Sequence, residues 1–146
     1  MSSFQQILLG SGLLATSAII HVLAVALSVP VFKVFAGIVP NDRRPLRRII
    51  LFLMLTIGVL VAAHTVQIWT WAVVFILISD LPDLPTSFYF ATVTYTTLGY
   101  GDIVLGEGAR IVATFCAITG LLTFGISTAF LIGVLSKVLP ESLGDE

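Results

Sequence analysis

The chain has 146 residues, 58% hydrophobic and 10% charged, with a net charge of −1 and a mean hydropathy of +1.10. Soluble domains carry roughly a quarter charged residues, so this is the composition of an integral membrane protein with almost no soluble portion; the net charge says nothing about partners. One cysteine, Cys116, excludes a disulfide framework or cysteine metal cluster within one chain, and with no nucleophile elbow, phosphate loop or His/Cys/Asp/Glu cluster an enzyme is not expected.

Residues 7–29 are the first apolar run, long enough for a crossing of about 20 residues. Pro30 is expected to end it, with 31–39 as a kinked or interfacial continuation. The leader MSSFQQ has no positive charge and the run exceeds the ~7–15 residues of a signal-peptide core, so a retained helix is preferred to a cleaved signal. Residues 41–48 form a short polar hinge holding Arg43, Arg44, Arg47 and Arg48. A voltage sensor needs arginines spaced inside a span. These are clustered and broken by Pro45, and are read as a topology anchor.

Residues 49–79 are the second span, longer than needed and so tilted or extended beyond the membrane. His64 and Gln67 lie three apart on it, with Trp71 a turn further. Polar groups in lipid turn inward and find partners, so structural hydrogen bonding is preferred here to a proton-sensitive contact. Trp69 and Trp71 are assigned to the outer interfacial belt. His21, alone on the first apolar run, has no assigned role.

Asp80-Leu-Pro-Asp-Leu-Pro is a turn cluster, and Pro85 is placed to open a helix, whose first turn has no use for the missing N–H. Residues 85–96 then form a helix of about 12 residues, too short to cross. Thr97-Leu98-Gly99-Tyr100-Gly101 follows. Glycines at 99 and 101 permit positive φ, so neighbouring carbonyls can turn to one side while Tyr100 points away; Asp102 closes the stretch. Residues 103–109 make a second loop and 110–138 the last span. Irregular backbone at membrane depth is tolerated only where protein or water surrounds it, a condition met by a ribbon lining an aqueous path.

This run resembles the selectivity-filter signature of potassium channels, Thr-x-x-Thr-x-Gly-Tyr-Gly-Asp, at Thr94, Thr97, Gly99, Tyr100, Gly101 and Asp102. The resemblance covers about residues 49–138 and is to small bacterial channels with two helices around a pore loop; residues 1–40 lie outside it as an extra helix, a peripheral anchor or an aid to assembly. It implies an all-α membrane protein with three transmembrane helices, a re-entrant pore helix and a filter loop, assembled as a homotetramer because a carbonyl ring needs four strands. Domains are then 1–40 (N-terminal helix), 41–48 (basic hinge), 49–138 (pore domain) and 139–146 (short tail).

The same resemblance makes the carbonyls of Thr97, Leu98, Gly99 and Tyr100, with the Thr97 hydroxyl and the close of the ribbon at Gly101, the K+ ligands. Leu98 stands where valine is commoner. Tyr89, Phe90, Thr94 and Asp102 are expected to support the filter, Asp102 by hydrogen bonding. Val93 replaces a glutamate that binds the filter aspartate in some relatives. Gly120 is an inner-helix hinge or a close-packing site, and Leu121, Phe124 and Thr128 line the cavity or face lipid. The C-terminal end of the pore helix should carry about half a negative charge toward the cavity.

Five of the seven basic residues, Lys33 and the four hinge arginines, sit between the first two spans. The positive-inside bias makes that hinge cytoplasmic. The N-terminus and pore loop are then external, the tail is cytoplasmic, and the setting is a bacterial inner membrane. Asp80, Asp83, Asp102 and Glu107 flank the pore loop and would make a negative vestibule. Expected partners are further copies of the chain and membrane lipid, with no nucleic acid, no cofactor, and no small substrate besides ions. A weakly selective cation channel and a non-conducting scaffold or modulatory subunit stay open as alternatives.

Overall fold

An unbroken apolar run can satisfy its own backbone in lipid as a helix. The computed structural model, which describes residues 1–38 and 45–143, has four. They are α1 (Ser3–Ile38), α2 (Pro45–Ile78), α3 (Leu84–Tyr95) and α4 (Arg110–Leu143). The fold is all-helical as expected, and three helices are long and apolar enough to cross a membrane, over Ser3–Val34, Leu46–Ile78 and Arg110–Lys137. The shortest of these has 28 residues, about 42 Å at 1.5 Å per residue, against a hydrocarbon core of about 30 Å. Arg43 and Arg44 of the expected hinge, and the last three residues of the tail, lie outside the described residues.

Four boundaries differ from expectation by more than one residue: α1 begins at Ser3 instead of 7, α4 runs on to Leu143 instead of 138, and the other two lie at prolines. Helix α1 does not stop at Pro30 but carries it inside and continues to Ile38. Proline removes one backbone donor, the one that would have met the Ala26 carbonyl, a loss that apolar helices tolerate beside neighbouring helices; the Ser28 hydroxyl donates to the adjacent Val25 carbonyl at 2.6 Å. Helix α2 begins at Pro45, four residues early, because proline suits a first helical position. Arg47 and Arg48 therefore ride on its first turn, and the Arg48 guanidinium lies 5.9 Å from the ring centre of Phe52.

Caps set the other starts. The Ser2 hydroxyl accepts from the Gln5 amide and Gln5 Oε1 accepts from the Ser2 amide, at 3.3 and 2.9 Å, a reciprocal capping box that opens α1. Asp83 caps α3, its Oδ1 accepting from the Thr86 amide at 2.8 Å, with Pro85 in the first turn. Hydrogen bonds from Thr86 hold the Asp83 carboxyl below the usual carboxylate range. A depressed folded-state value means that the stabilisation is fully present above about pH 4 and is lost as pH falls through the folded value. Asp83→Ala is therefore expected to lower the thermal midpoint at pH 7, and the gap from wild type should close in acid; a gap unchanged at pH 3 would contradict the cap.

The core lies between α2, α3 and α4, built from Trp71, Phe75, Phe90, Tyr95, Val112 and Cys116. The Ser87 hydroxyl donates to the Ala72 carbonyl at 2.6 Å and ties α3 to α2. Trp71 corrects an expectation: it is 1% exposed and packs on Phe75 instead of marking the membrane interface. Trp69 does stand outward, stacked at 4.5 Å on Phe88.

Helix α1 lies along α4. The Phe115 ring covers Gly10 so closely that any Cβ there would overlap it. At one end Gln6 Nε2 donates to the Glu107 carbonyl (2.8 Å) while its Oε1 accepts from the Ile111 amide (3.0 Å). Toward the other, the Phe32 ring lies between Phe130 and Phe52 at 6.1 and 6.2 Å. Leu8, Leu27, Met54 and Leu77 remain exposed, an apolar outer surface suited to lipid.

Candidate functional site

The ribbon after α3 hangs from the end of that helix. A helix leaves its last carbonyls without partners, and here the ribbon's own amides take them. Thr96 N donates to Thr92 O, Thr97 N to Thr94 O, and Leu98 N and Gly99 N both to Val93 O, at 3.0 to 3.2 Å. Position 93 thus serves the filter through its backbone.

With the amides turned back toward α3, the carbonyls are free. Among the described residues no hydrogen bond falls on the carbonyls of Thr97, Leu98, Gly99 or Tyr100. The dihedrals give the reason. Thr97, Gly99 and Gly101 have φ of 59°, 55° and 77°, while Leu98 and Tyr100 between them stay negative. In an all-negative extended strand successive groups alternate sides; alternating the handedness of successive residues cancels that and lets consecutive carbonyls share one side. Thr97 is the only non-glycine residue with positive φ among those described, and a β-branched residue there is strained by about 1–2 kcal/mol.

The sequence-derived support residues divide. Tyr89 donates its hydroxyl to Asp102 Oδ2 at 2.6 Å, bridging pore helix and outer filter end; that bond raises the Tyr89 phenol above its ordinary value. Thr94 acts through its carbonyl. Phe90 turns instead into the core, edge-on to Phe75 at 5.0 Å. Tyr100 is 66% exposed, with no ring stacked on it among the described residues. Residues 96–102 are exposed throughout, although α3 just before them is packed.

Behind the ribbon, Gly120 of α4 meets the last turn of α3. A Cβ at Gly120 would land on the Tyr95 carbonyl, whereas one at Gly125 would meet nothing within 4 Å. Gly120 thus sits at a close approach of α4 to α3. Leu121 and Thr128 are exposed, and the Phe124 ring lies 4.5 Å from His64 and 5.7 Å from Tyr95.

The Tyr95 side chain enters a buried polar cluster drawn from all four helices. Its Oη lies 2.9 Å from His64 Nδ1 and 2.7 Å from Thr123 Oγ1, and donates to Gln67 Oε1 at 3.1 Å. Gln67 Nε2 stands 2.8 Å from His21 Nδ1. Ser127 Oγ lies between the two imidazoles, 2.9 Å from His21 Nε2 and 3.0 Å from His64 Nε2. The hydrogen bonding expected of His64 and Gln67 is present, and His21 belongs to the same cluster. Sequence reasoning missed Tyr95, Thr123 and Ser127, although Thr119, Thr123 and Ser127 repeat every four residues on an otherwise apolar helix.

The ion-channel family profile matches residues 61–137, more than half of the chain. Potassium voltage-gated channel subfamily A member 2 of Xenopus laevis is 45% identical over 49 residues, 33% of this chain and 10% of that protein. Human subfamily A member 6 is 45% identical over 49 residues (33% and 9%), and human member 7 is 39% identical over 59 (40% and 13%). The chain spans about a tenth of the length of these curated relatives. No solved structure matches. Family match, helix order and filter run agree, and the chain belongs to the ion-channel family, as a multi-pass membrane protein with a pore of the potassium-channel type.

Proposed function

We propose that the chain is a potassium-selective channel that conducts K+ passively as a homotetramer. Four copies bring residues 97–101 around one axis, and the carbonyls of Thr97, Leu98, Gly99 and Tyr100, with the Thr97 hydroxyl at the inner end, replace the ion's water. The observation that carries this reading is the unbonded row of carbonyls left by alternating φ. Further support comes from the exposure of residues 96–102 in a single chain and from relatives named as potassium voltage-gated channels. Leu98 contributes a carbonyl as valine would, so potassium preference is retained.

The rest of the assignment follows from that axis. Residues 49–138 are the pore domain, with Leu121 and Thr128 turned to the central cavity and Asp102 steadying the filter through Tyr89. The basic segment before α2 faces the cytoplasm of a bacterial inner membrane, with the filter's Asp102 end outside. Purified protein in liposomes should carry K+ flux blocked by barium, with a bi-ionic reversal potential favouring K+ over Na+. Equal permeability to the two ions would leave a weakly selective cation channel; absence of flux would leave a scaffold.

A further inference from the structure

The buried cluster holds the protein's only two histidines, and its hydrogen bonds can be followed proton by proton. Gln67 Nε2 donates to His21 Nδ1, at 2.8 Å. An imidazole that accepts at one nitrogen and is neutral carries its proton on the other. His21 Nε2 therefore donates to Ser127 Oγ, 2.9 Å away. The Ser127 hydroxyl then gives its one proton to His64 Nε2, at 3.0 Å. His64 in turn donates from Nδ1 to Tyr95 Oη, at 2.9 Å, and Tyr95 donates to Gln67 Oε1, at 3.1 Å, which leaves Thr123 Oγ1, 2.7 Å from Tyr95 Oη, as a donor to it from outside the ring. The path has returned to its start. Five side chains from α1, α2, α3 and α4 form one closed ring in which each passes on one proton and receives one.

Turning the Gln67 amide over runs the ring the other way, and each imidazole then exchanges its protonated nitrogen. In either sense the two histidines are neutral and of opposite tautomer. His21, Gln67 and Tyr95 are at most 1% exposed, so water does not complete these bonds. A buried polar group left without its partner is costly, which makes the ring close as a whole or not at all.

We propose that His21 is a positioning residue for ion conduction, closing a hydrogen-bond ring through which α1 fixes Tyr95 and the filter that hangs from the same turn of α3. Tyr95 is the last residue of α3. Its carbonyl abuts Gly120, and the carbonyls of Thr92, Val93 and Thr94 just before it hold the filter amides. A shift of the Tyr95 side chain therefore reaches the ribbon within one turn. His21 lies outside residues 61–137, where the family profile matches, so α1 is a working part of this pore and more than an anchor beside it. The inference rests on the conduction reading above.

The test uses the full chain in lipid bilayers. With histidine labelled in 15N, wild type should show two neutral imidazoles, one protonated at Nδ1 and the other at Nε2. His21→Leu and Ser127→Ala each cut the ring on a different helix, and each should lower K+ flux roughly a thousandfold, one buried hydrogen bond being lost in each of the four subunits. The double variant should be no worse than either single one, since a ring is broken only once; Lys33→Gln, exposed on α1, should conduct as wild type does. Two histidines of the same tautomer, a charged imidazole at neutral pH, unchanged flux in His21→Leu, or single effects that multiply in the double variant would each overturn the proposal. Should His21→Leu fail to assemble, Ser127→Ala decides: both imidazole spectra should move, and a His21 signal indifferent to that change overturns the ring. A wild type that passes no ion overturns the conduction reading and with it the role of His21, while its tautomer spectrum still reports whether the ring exists. A conducting wild type with like tautomers overturns the ring alone.

Discussion

Gly99→Ala is expected to abolish potassium flux, while Gly106→Ala conducts as wild type does. Gly99 has φ of 55°, and Gly106 has neither a positive φ nor any atom within 4 Å of a new Cβ. An L-residue in the left-handed region costs about 1–2 kcal/mol. Four copies on one axis raise this to about 4–8 kcal/mol per pore, or roughly a thousandfold and more in the population of the conducting form. Within its own subunit the side chain has room, the nearest atom being the Thr97 carbonyl oxygen at 4.0 Å, so the cost counted here is that of backbone handedness. Flux from proteoliposomes, normalised to tetramer recovered, measures it. Wild-type flux through the Gly99→Ala protein would mean that carbonyls held by alternating φ are not the conducting surface.

The second large effect separates the two roles offered for Gly120. Gly120→Ala should lower the thermal stability of the detergent-solubilised protein by about 1–3 kcal/mol per subunit, the usual cost of overpacking, and should reduce flux because the atom displaced is the Tyr95 carbonyl. Gly125→Ala meets open space and should stabilise α4 by up to about 1 kcal/mol through helix propensity. A hinge at Gly120 predicts another pattern, in which folding is untouched and only opening changes. A Gly120→Ala protein as stable as wild type would therefore set aside the packing role.

The spans, the half-helix and the filter were legible in the sequence because each is written locally: apolar length for the spans, Pro85 for the start of α3, and the Thr-x-x-Thr-x-Gly-Tyr-Gly-Asp run for the filter. The course of α1 was not legible. An apolar helix shows the same residues whether it faces lipid or protein, and Pro30 reads as a terminator only by rules learned from helices in water. Some signals were present and passed over. Trp69 and Trp71 are two residues apart on a helix and so point to different sides; only one could face the membrane. Ser2 and Gln5 spell a capping box, and Asp83 with Thr86 a helix cap. The repeat of Thr119, Thr123 and Ser127 marks a buried polar seam on α4, on another face from Leu121 and Thr128. What no local pattern contains is the meeting of His21 with His64, which have 42 residues between them along the chain.

The two glycine contacts of α4 act together as a mechanical constraint. Phe115 is seated over Gly10 near one end of the helix, and Gly120 is stopped against the Tyr95 carbonyl little more than one turn later. Between these two abutments α4 is closely seated, which opposes a piston or screw motion of this stretch. Further along, Ser127 between His21 and His64 and Phe130 against Phe32 tie α4 to its neighbours, so the free arm of the lever begins only past Phe130. Any stroke at the far end of α4 is then a sideways swing whose fulcrum lies past Phe130, leaving the ribbon end clamped while the opposite end travels.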